Sequence, residues 1–212
     1  MTYKTRLMTT LSSAILCAGL SVGATSSAIA HNVLNVSEAP AGHLFPMVLN
    51  VNHGCKGAPV VGARIQIPDG IVDAKAVDKP GWEIEYKMKQ LETPVVLHGR
   101  EVKEVVGEIV WKNPTDTVPS DGWAAFEFRG TIPKDAGRVM HFKNITVCEG
   151  GKTDAYVDLP EQALDVNDAE FSKKAWAFMT ATSGPAPMVI VRESKGQYPW
   201  DWTPEQARGD AP

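Results

Sequence analysis

Short runs of alternating hydrophobic and polar residues dominate this chain, with glycine and proline between them at intervals of roughly ten residues. Such alternation is typical of strands that bury one face and expose the other. It predicts an all-β protein, a single antiparallel β-sandwich of the immunoglobulin or cupredoxin type. The predicted strands are residues 31–37, 44–52, 63–67, 71–77, 83–89, 101–111, 123–130, 139–148, 155–159 and 185–191.

The pattern changes twice towards the end of the chain. Residues 168–179 have the apolar spacing of a short helix, with Asn167 or Asp168 as its N-cap. Residues 193–212 are polar and contain proline and glycine, which predicts a flexible tail after one domain over 31–192. The tail carries Tyr198, Trp200 and Trp202.

The first two predicted strands are separated by residues 38–43, which contain a proline and a glycine and predict a turn. A hairpin closed near positions 40 and 41 would bring His31 opposite residue 50 or 51. His53 would then lie beside His31, within one diagonal neighbour across the pair of strands.

The N-terminal segment has the features of a secretory signal peptide. A basic start and an apolar run over 11–20 precede Ala-Ile-Ala at 28–30. The run is too short to span a membrane, and small residues of this kind are typical of a cleavage site. We therefore expect residues 1–30 to be removed after Ala30, leaving His31 as the first residue of a periplasmic or secreted protein.

Length and charge limit the classes of function. The first 30 of the 212 residues contain two of the 21 basic residues and none of the 25 acidic ones. The mature chain of 182 residues therefore has a formal charge of −6, and its length suits one domain with a tail. No basic block is present that would favour nucleic acid or an anionic membrane as a partner.

The cysteines favour a disulfide. Cys17 leaves with the signal peptide, so the mature chain keeps Cys55 and Cys148, and an even number in an exported protein is typical of a disulfide. The bond would close a loop of about 94 residues and stabilise the fold by roughly 4–5 kcal/mol. A metal site that uses the two thiolates is the alternative.

Sequence motifs of enzymes are absent. The chain has no Gly-x-Ser-x-Gly, no His-Glu-x-x-His and no glycine-rich phosphate loop. Its carboxylates are scattered over alternating positions, so no catalytic pair can be selected. We therefore predict that the protein is not an enzyme.

The histidines indicate a metal site. An N-terminal His31 offers its α-amine, with a pKa of roughly 7.7–8.0, and its ring Nδ1 to one ion as a six-membered chelate. With an imidazole nitrogen of His53 they would form a planar set of three nitrogens, which suits Cu(II) better than zinc. The alternatives are a histidine left by chance at the cleavage site and an ordinary loop histidine at 53.

The other candidate metal ligands are less convincing. We expect His43 to be solvated at the far end of the hairpin, His98 to be exposed in a polar stretch, and His141 to be a packed or surface residue of its strand. The methionines form no Met-x-x-Met cluster, so we assign them to the core.

Several short motifs, in this order and spacing, resemble the YcnI-like family of exported bacterial copper-binding domains over about residues 31–191. The motifs are His31, His53-Gly54-Cys55, Ile67-Pro68-Asp69-Gly70, Lys79-Pro80-Gly81-Trp82, Ile109-Val110-Trp111, Phe126-Glu127-Phe128 and Pro185-Ala186-Pro187.

The resemblance implies a β-sandwich that holds Cu(II) through the amine and ring of the N-terminal histidine. In some members a glutamate at the end of the second strand completes the set, with a tryptophan close by. Here His53 stands in place of the glutamate, so we expect His31 and His53 to be the ligands. Tyr156 lies near the expected position of the tryptophan and is a candidate neighbour of the site.

These observations predict a periplasmic copper-binding protein, a chaperone or buffer that delivers copper to a membrane or soluble partner. One alternative is a metal-free, disulfide-stapled interaction module. A copper-dependent oxidase is the other, but it needs exposed aromatic residues around the copper, and the sequence does not bring the aromatic residues of the tail near His31.

Overall fold

The fold was analysed in a computed structural model, which describes residues 31–97, 99–113, 115, 117–198 and 202–209. The predicted signal peptide, His98 and Trp200 lie outside these residues. The strands are β1 (Val33–Leu34), β2 (Glu38–Pro40), β3 (Leu44–Val51), β4 (Val60–Gln66), β5 (Val72–Ala76), β6 (Glu83–Leu97), β7 (Arg100–Lys112), β8 (Ala124–Thr131), β9 (Val139–His141), β10 (Asn144–Cys148), β11 (Thr153–Tyr156) and β12 (Met188–Arg192).

Two antiparallel sheets form the predicted sandwich. One has the strand order β1-β3-β8-β5, and the other has the order β11-β10-β4-β7-β6. Their inner faces meet where the ring of Phe126 on β8 packs against Trp111 on β7, with 5.3 Å between the ring centroids. The all-β sandwich predicted from the alternating pattern is therefore confirmed.

The alternation along each strand sorts the side chains between core and solvent. On β3, Met47, Leu49 and Val51 are completely buried, whereas the residues between them are partly exposed. The hydrophobic effect stabilises this arrangement by roughly 1.5–3 kcal/mol for each large apolar side chain that is fully buried.

A third, small sheet was not predicted. It has the order β2-β12-β9, and β2 runs parallel to β12. The prediction of one strand over 31–37 followed by a turn at 38–43 was wrong in this detail, because residues 38–40 pair with the distant β12. The predicted strand 139–148 is likewise divided, since β9 pairs with β12 and β10 pairs with β4.

The helix α1 (Phe171–Ala181) begins three residues later than predicted. The carboxylate of Asp168 accepts a hydrogen bond from the backbone N–H of Glu170 and forms a turn before the helix. A second short helix, α2 (Pro204–Arg208), begins with a capping box between Thr203 and Gln206. In the described part of the chain, neither helix is long and apolar enough to cross a membrane.

Part of the predicted tail contacts the domain. The side chain of Gln197 accepts a hydrogen bond from the backbone N–H of Leu44, 2.9 Å away. The indole N–H of Trp202 donates to the carbonyl of Gly196, and Lys195 lies over the same ring. The contact between Gln197 and Leu44 is at the start of β3, which is the end of that strand remote from His31.

Candidate metal centre

His31 lies two residues before the start of β1, and the hairpin with β3 fixes its position. Val33 pairs with Asn50 in antiparallel register, so His31 lies level with Asn52. The side-chain amide of Asn52 donates a hydrogen bond to the carbonyl of His31 at 2.8 Å. The predicted hairpin is therefore present, with His31 one position further along the second strand than expected.

The next residue, Asn32, anchors the start of the predicted mature chain in the core. Asn32 is 1% exposed, and its amide nitrogen donates to Asn144 Oδ1 at 2.8 Å and to Thr146 Oγ1 at 2.9 Å. A buried polar group that loses its partners costs about 1–3 kcal/mol, so this arrangement favours one position of the backbone beside His31.

The imidazole of His31 is half-buried against the other sheet. Its Nε2 is buried without a hydrogen-bond partner. Tyr156 of β11 meets the ring edge-on, with 6.2 Å between centroids. Burial lowers the pKa of His31, which favours the neutral ring that a metal requires. Burial also raises the pKa of Tyr156, and the nearby Asp154 raises it further.

His53 lies in the loop that follows β3. Its Nδ1 is 2.8 Å from the carbonyl of Gly54. With Nδ1 as the donor, Nε2 carries the lone pair, which is the arrangement typical of metal-binding histidines. The loop is close-packed, because a Cβ at Gly54 would come within 1.9 Å of the carbonyl oxygen of Ala58. A larger residue at 54 would therefore displace the backbone next to His53.

The predicted disulfide is present and supports the same loop. Cys55 and Cys148 are joined, with 5.9 Å between their Cα atoms. This pairing leaves neither sulfur as a thiolate and argues against the alternative of a cysteine metal site. Since Cys55 is two residues from His53, the disulfide attaches the loop to the end of β10.

One face of β10 therefore supports both histidines. Asn144 and Thr146 accept the hydrogen bonds from Asn32, and Cys148 holds the loop of His53. All three side chains are almost completely buried. Three alternate residues of β10 thus hold both the segment that follows His31 and the loop that carries His53.

The donor set depends on the backbone amine. In the part of the chain that the structure describes, no group of three or more His, Cys, Asp or Glu side chains could hold a metal ion. A chain that begins at His31 would add its α-amine to the two imidazoles. These three nitrogens are the donor set that the sequence predicts, and Nε2 of His31 is buried without a hydrogen-bond partner.

A family model described as a domain of unknown function, DUF1775, matches residues 31–177. The chain belongs to this family. DUF1775 is the YcnI family of copper-related exported proteins, so the resemblance found in the sequence is confirmed. The match begins at His31, the predicted first residue of the mature chain.

One solved structure similar to this YcnI-family chain supports the fold, and a second is similar at a lower score. An uncharacterised protein from Nocardia farcinica with an immunoglobulin-like fold matches with a TM-score of 0.52 and 14% identity, covering 76% of this chain and 98% of its own. A cohesin module from a Clostridium perfringens family 33 glycoside hydrolase matches at 0.43 and 10%, covering 77% and 97%. No curated protein matches at a significant level.

Two other described histidines of the YcnI-family domain, His43 and His141, make contacts of their own. His43 is half-buried at the opposite end of β3, where its Nε2 is 2.5 Å from the hydroxyl of Ser194. His141 packs edge-on against Phe178, as expected for a packed strand histidine. Burial lowers the pKa of His141, and its Nδ1 is buried without a partner.

The sequence pattern did not identify two residues at this end of the sandwich, Asn32 and Trp123. Asn32 reads as an ordinary polar strand residue, and only its long-range partners show that it is an anchor. Trp123 precedes Ala124, which pairs with Val51, so it lies level with Asn52 on the far side of β3 from His31. Its side chain is 67% exposed. An exposed tryptophan before a strand is the signal that could have identified it.

Proposed function

We propose that the mature chain, beginning at His31, is a periplasmic copper-binding protein that holds Cu(II) and acts as a chaperone or buffer. The ligands are the α-amine and Nδ1 of His31 and Nε2 of His53, and Tyr156 is a neighbour of the site. The anchorage of Asn32 beside His31 is the observation that carries the proposal. Membership of a copper-related exported family supports it.

The protein contributes neutral donors in a fixed position. Cu(II) prefers planar nitrogen coordination, and a neutral imidazole binds without having to lose a proton. Desolvation already favours that form of His31. The amine is then the main group that exchanges a proton for the metal near neutral pH.

Delivery requires that a partner reach the ion. His31 and His53 are both partly exposed, and Trp123, also exposed, is at the same end of β3. A partner with its own copper ligands can therefore approach this end of the sandwich. The partner that we propose is a copper transporter or chaperone in the membrane or the periplasm.

A competition titration with Cu(II) and a chromophoric chelator tests the ligand assignment. His53→Ala should weaken binding at least about tenfold, which corresponds to the loss of a ligand or of its support. His43→Ala is the matched control, because His43 lies at the other end of the same strand and should leave the affinity unchanged. Equal affinities of the two variants would remove His53 from the site.

The same titration separates the alternatives. If the mature protein binds no Cu(II) more tightly than buffer does, the metal-free interaction module becomes the better account. Oxygen consumption by the copper-loaded protein with a reductant and a polysaccharide would instead support an oxidase. We expect stoichiometric binding and no oxygen consumption above that of free copper.

A further inference from the structure

The five-stranded sheet ends at a solvent-exposed strand, β6. We define the β6 edge as residues 83–90. This strand pairs with β7 on one side only, since β6 is last in the order β11-β10-β4-β7-β6. Apart from that ladder, the described part of the chain makes no backbone–backbone hydrogen bond to the β6 edge, and the backbone N–H of Ala76 on β5 donates to the side-chain hydroxyl of Tyr86. Its backbone groups are therefore available to another strand.

The β6 edge is also regular. A register shift occurs between Lys87 and Met88, where the pairing passes from Glu108 to Val106 on β7. The extra residue, Gly107, belongs to β7, so the bulge does not interrupt the outer strand. Tyr86 and Met88 are 41% and 52% exposed, and no irregularity appears on β6 until Gln90.

The sequence of the β6 edge is complementary to itself. Residues 83–89 read Glu-Ile-Glu-Tyr-Lys-Met-Lys. If two copies pair antiparallel with Tyr86 on the two-fold axis, Glu83 lies opposite Lys89 and Glu85 lies opposite Lys87, each twice. Ile84 lies opposite Met88. Every charged residue therefore faces an opposite charge across the interface.

Other registers lack this match. Moving the axis to Met88 brings Lys87 opposite Lys89, and moving it to Ile84 brings Glu83 opposite Glu85. Like charges directly opposite each other disfavour pairing. The charges therefore select one closed, two-fold pairing and oppose shifted or open ones.

The dimer would also continue an existing row of charges on the outer face of the sheet. Glu108 lies between Arg64 at 2.5 Å and Lys87 at 3.0 Å. Glu85 accepts a hydrogen bond from Lys112 at 2.5 Å. With Tyr86 on the axis, Lys87 of one copy meets Glu85 of the other, and the row of alternating charges runs across both sheets.

We infer that the chain forms a symmetric dimer through antiparallel pairing of the β6 edges of two copies, with Tyr86 at the axis. The interface is short for a stable complex, so the dimer is weak and depends on protein concentration. Its place in the sheet, at the opposite edge from Tyr156 on β11, leaves the proposed metal site accessible in both copies. The inference does not depend on copper binding.

Sedimentation velocity of the mature protein over a range of concentrations tests this interface. The wild type should shift from monomer to dimer. Glu85→Lys and Lys87→Glu should each weaken self-association about tenfold or more, because each reversal creates two like-charge contacts. An equimolar mixture of the two variants should recover the dimer, since each lysine then faces a glutamate again. Glu101→Lys, on β7 away from this edge, is the matched control and should associate like the wild type.

A cross-linking experiment fixes the register. Tyr86→Cys should form a disulfide-linked dimer under mild oxidation, because the two copies of position 86 are opposite each other. Lys89→Cys should not, since its two copies are separated by six residues along the pair, roughly 20 Å. A wild type that stays monomeric, single variants that associate normally, a mixture that does not recover, or equal cross-linking at both positions would each overturn the inference.

Discussion

The two edges of the five-stranded sheet use polar residues in opposite ways. Near the β11 edge, the side chains of the adjacent β10 that support His31 are buried, hydrogen-bonded and joined to a disulfide. At the β6 edge, charged side chains lie in solvent and pair with neighbours on β7. Burial makes a lost hydrogen bond costly, whereas solvent weakens an ion pair. The first edge thus fixes the geometry of one chain, and the second is suited to recognising another.

The disulfide should have the largest effect on stability. Replacing Cys55 and Cys148 together by alanine should lower the free energy of unfolding by about 2–5 kcal/mol, because the loop between them is long. Urea denaturation of the oxidised wild type and the double variant measures this difference. A loss below about 1 kcal/mol would mean that the β11 edge does not depend on the cross-link.

Asn32 should come next. Asn32→Ala leaves Asn144 and Thr146 with fewer partners in the core, so we expect a loss of about 1–3 kcal/mol. Asn35→Ala is the matched control, because Asn35 makes an exposed hydrogen bond to the backbone of Val48. Comparable losses for the two variants would contradict the special role of the buried anchor.

Replacement of Glu108 tests the charged row near the other edge. Burial opposes its ionisation, but hydrogen bonds from Arg64 and Lys87 lower its pKa on balance. A carboxylate with a lowered pKa contributes stability above its ordinary value near 4.5, and this contribution is lost as the pH falls through the folded-state pKa. We expect Glu108→Gln to cost about 1 kcal/mol at neutral pH.

Added salt should reduce the effect of Glu108→Gln, because the partner cations are partly exposed. Glu101→Gln is the control, since its pair with Lys103 is well exposed and should contribute almost nothing. A salt-independent loss would place Glu108 with the buried polar groups, whereas an equal loss for Glu101→Gln would mean that Glu108 contributes no more than an exposed ion pair.

The pH dependence of stability offers the smallest effect. Burial lowers the pKa of His31 below its ordinary value of 6.5. At pH values between the folded-state pKa and 6.5, the unfolded chain therefore binds a proton at His31 more readily than the folded chain does. Stability should therefore fall as the pH drops below about 6.5. His31→Gln should reduce this dependence in urea denaturation between about pH 7 and about pH 5.5. An unchanged slope would mean that His31 is as solvated in the folded chain as in the unfolded one.

The sequence predicted what depends on local pattern. Alternation along 44–52 and 123–130 was enough to identify β3 and β8, because each strand buries every second side chain in one core. Two cysteines in a chain predicted to be exported were enough to identify the disulfide. These features need no knowledge of distant partners.

Other features depend on pairings between remote parts of the chain. Residues 38–40 look like a turn and become a strand only because β12 lies beside them. The anchoring role of Asn32 depends on Asn144 and Thr146, more than a hundred positions away. The self-complementary charges of β6 are visible in the sequence, but they acquire a meaning only when the strand order shows that β6 is an edge.

The central claim is that the α-amine of His31 binds Cu(II), and electron paramagnetic resonance of the copper-loaded protein tests it most directly. The sample to compare with the mature chain is one that begins with Ala30, in which His31 keeps its side chain but its nitrogen is an amide. We predict nitrogen hyperfine structure from the amine and imidazoles in the mature protein and a changed spectrum with weaker binding in the extended one. Identical spectra and affinities for the two chains would contradict the account.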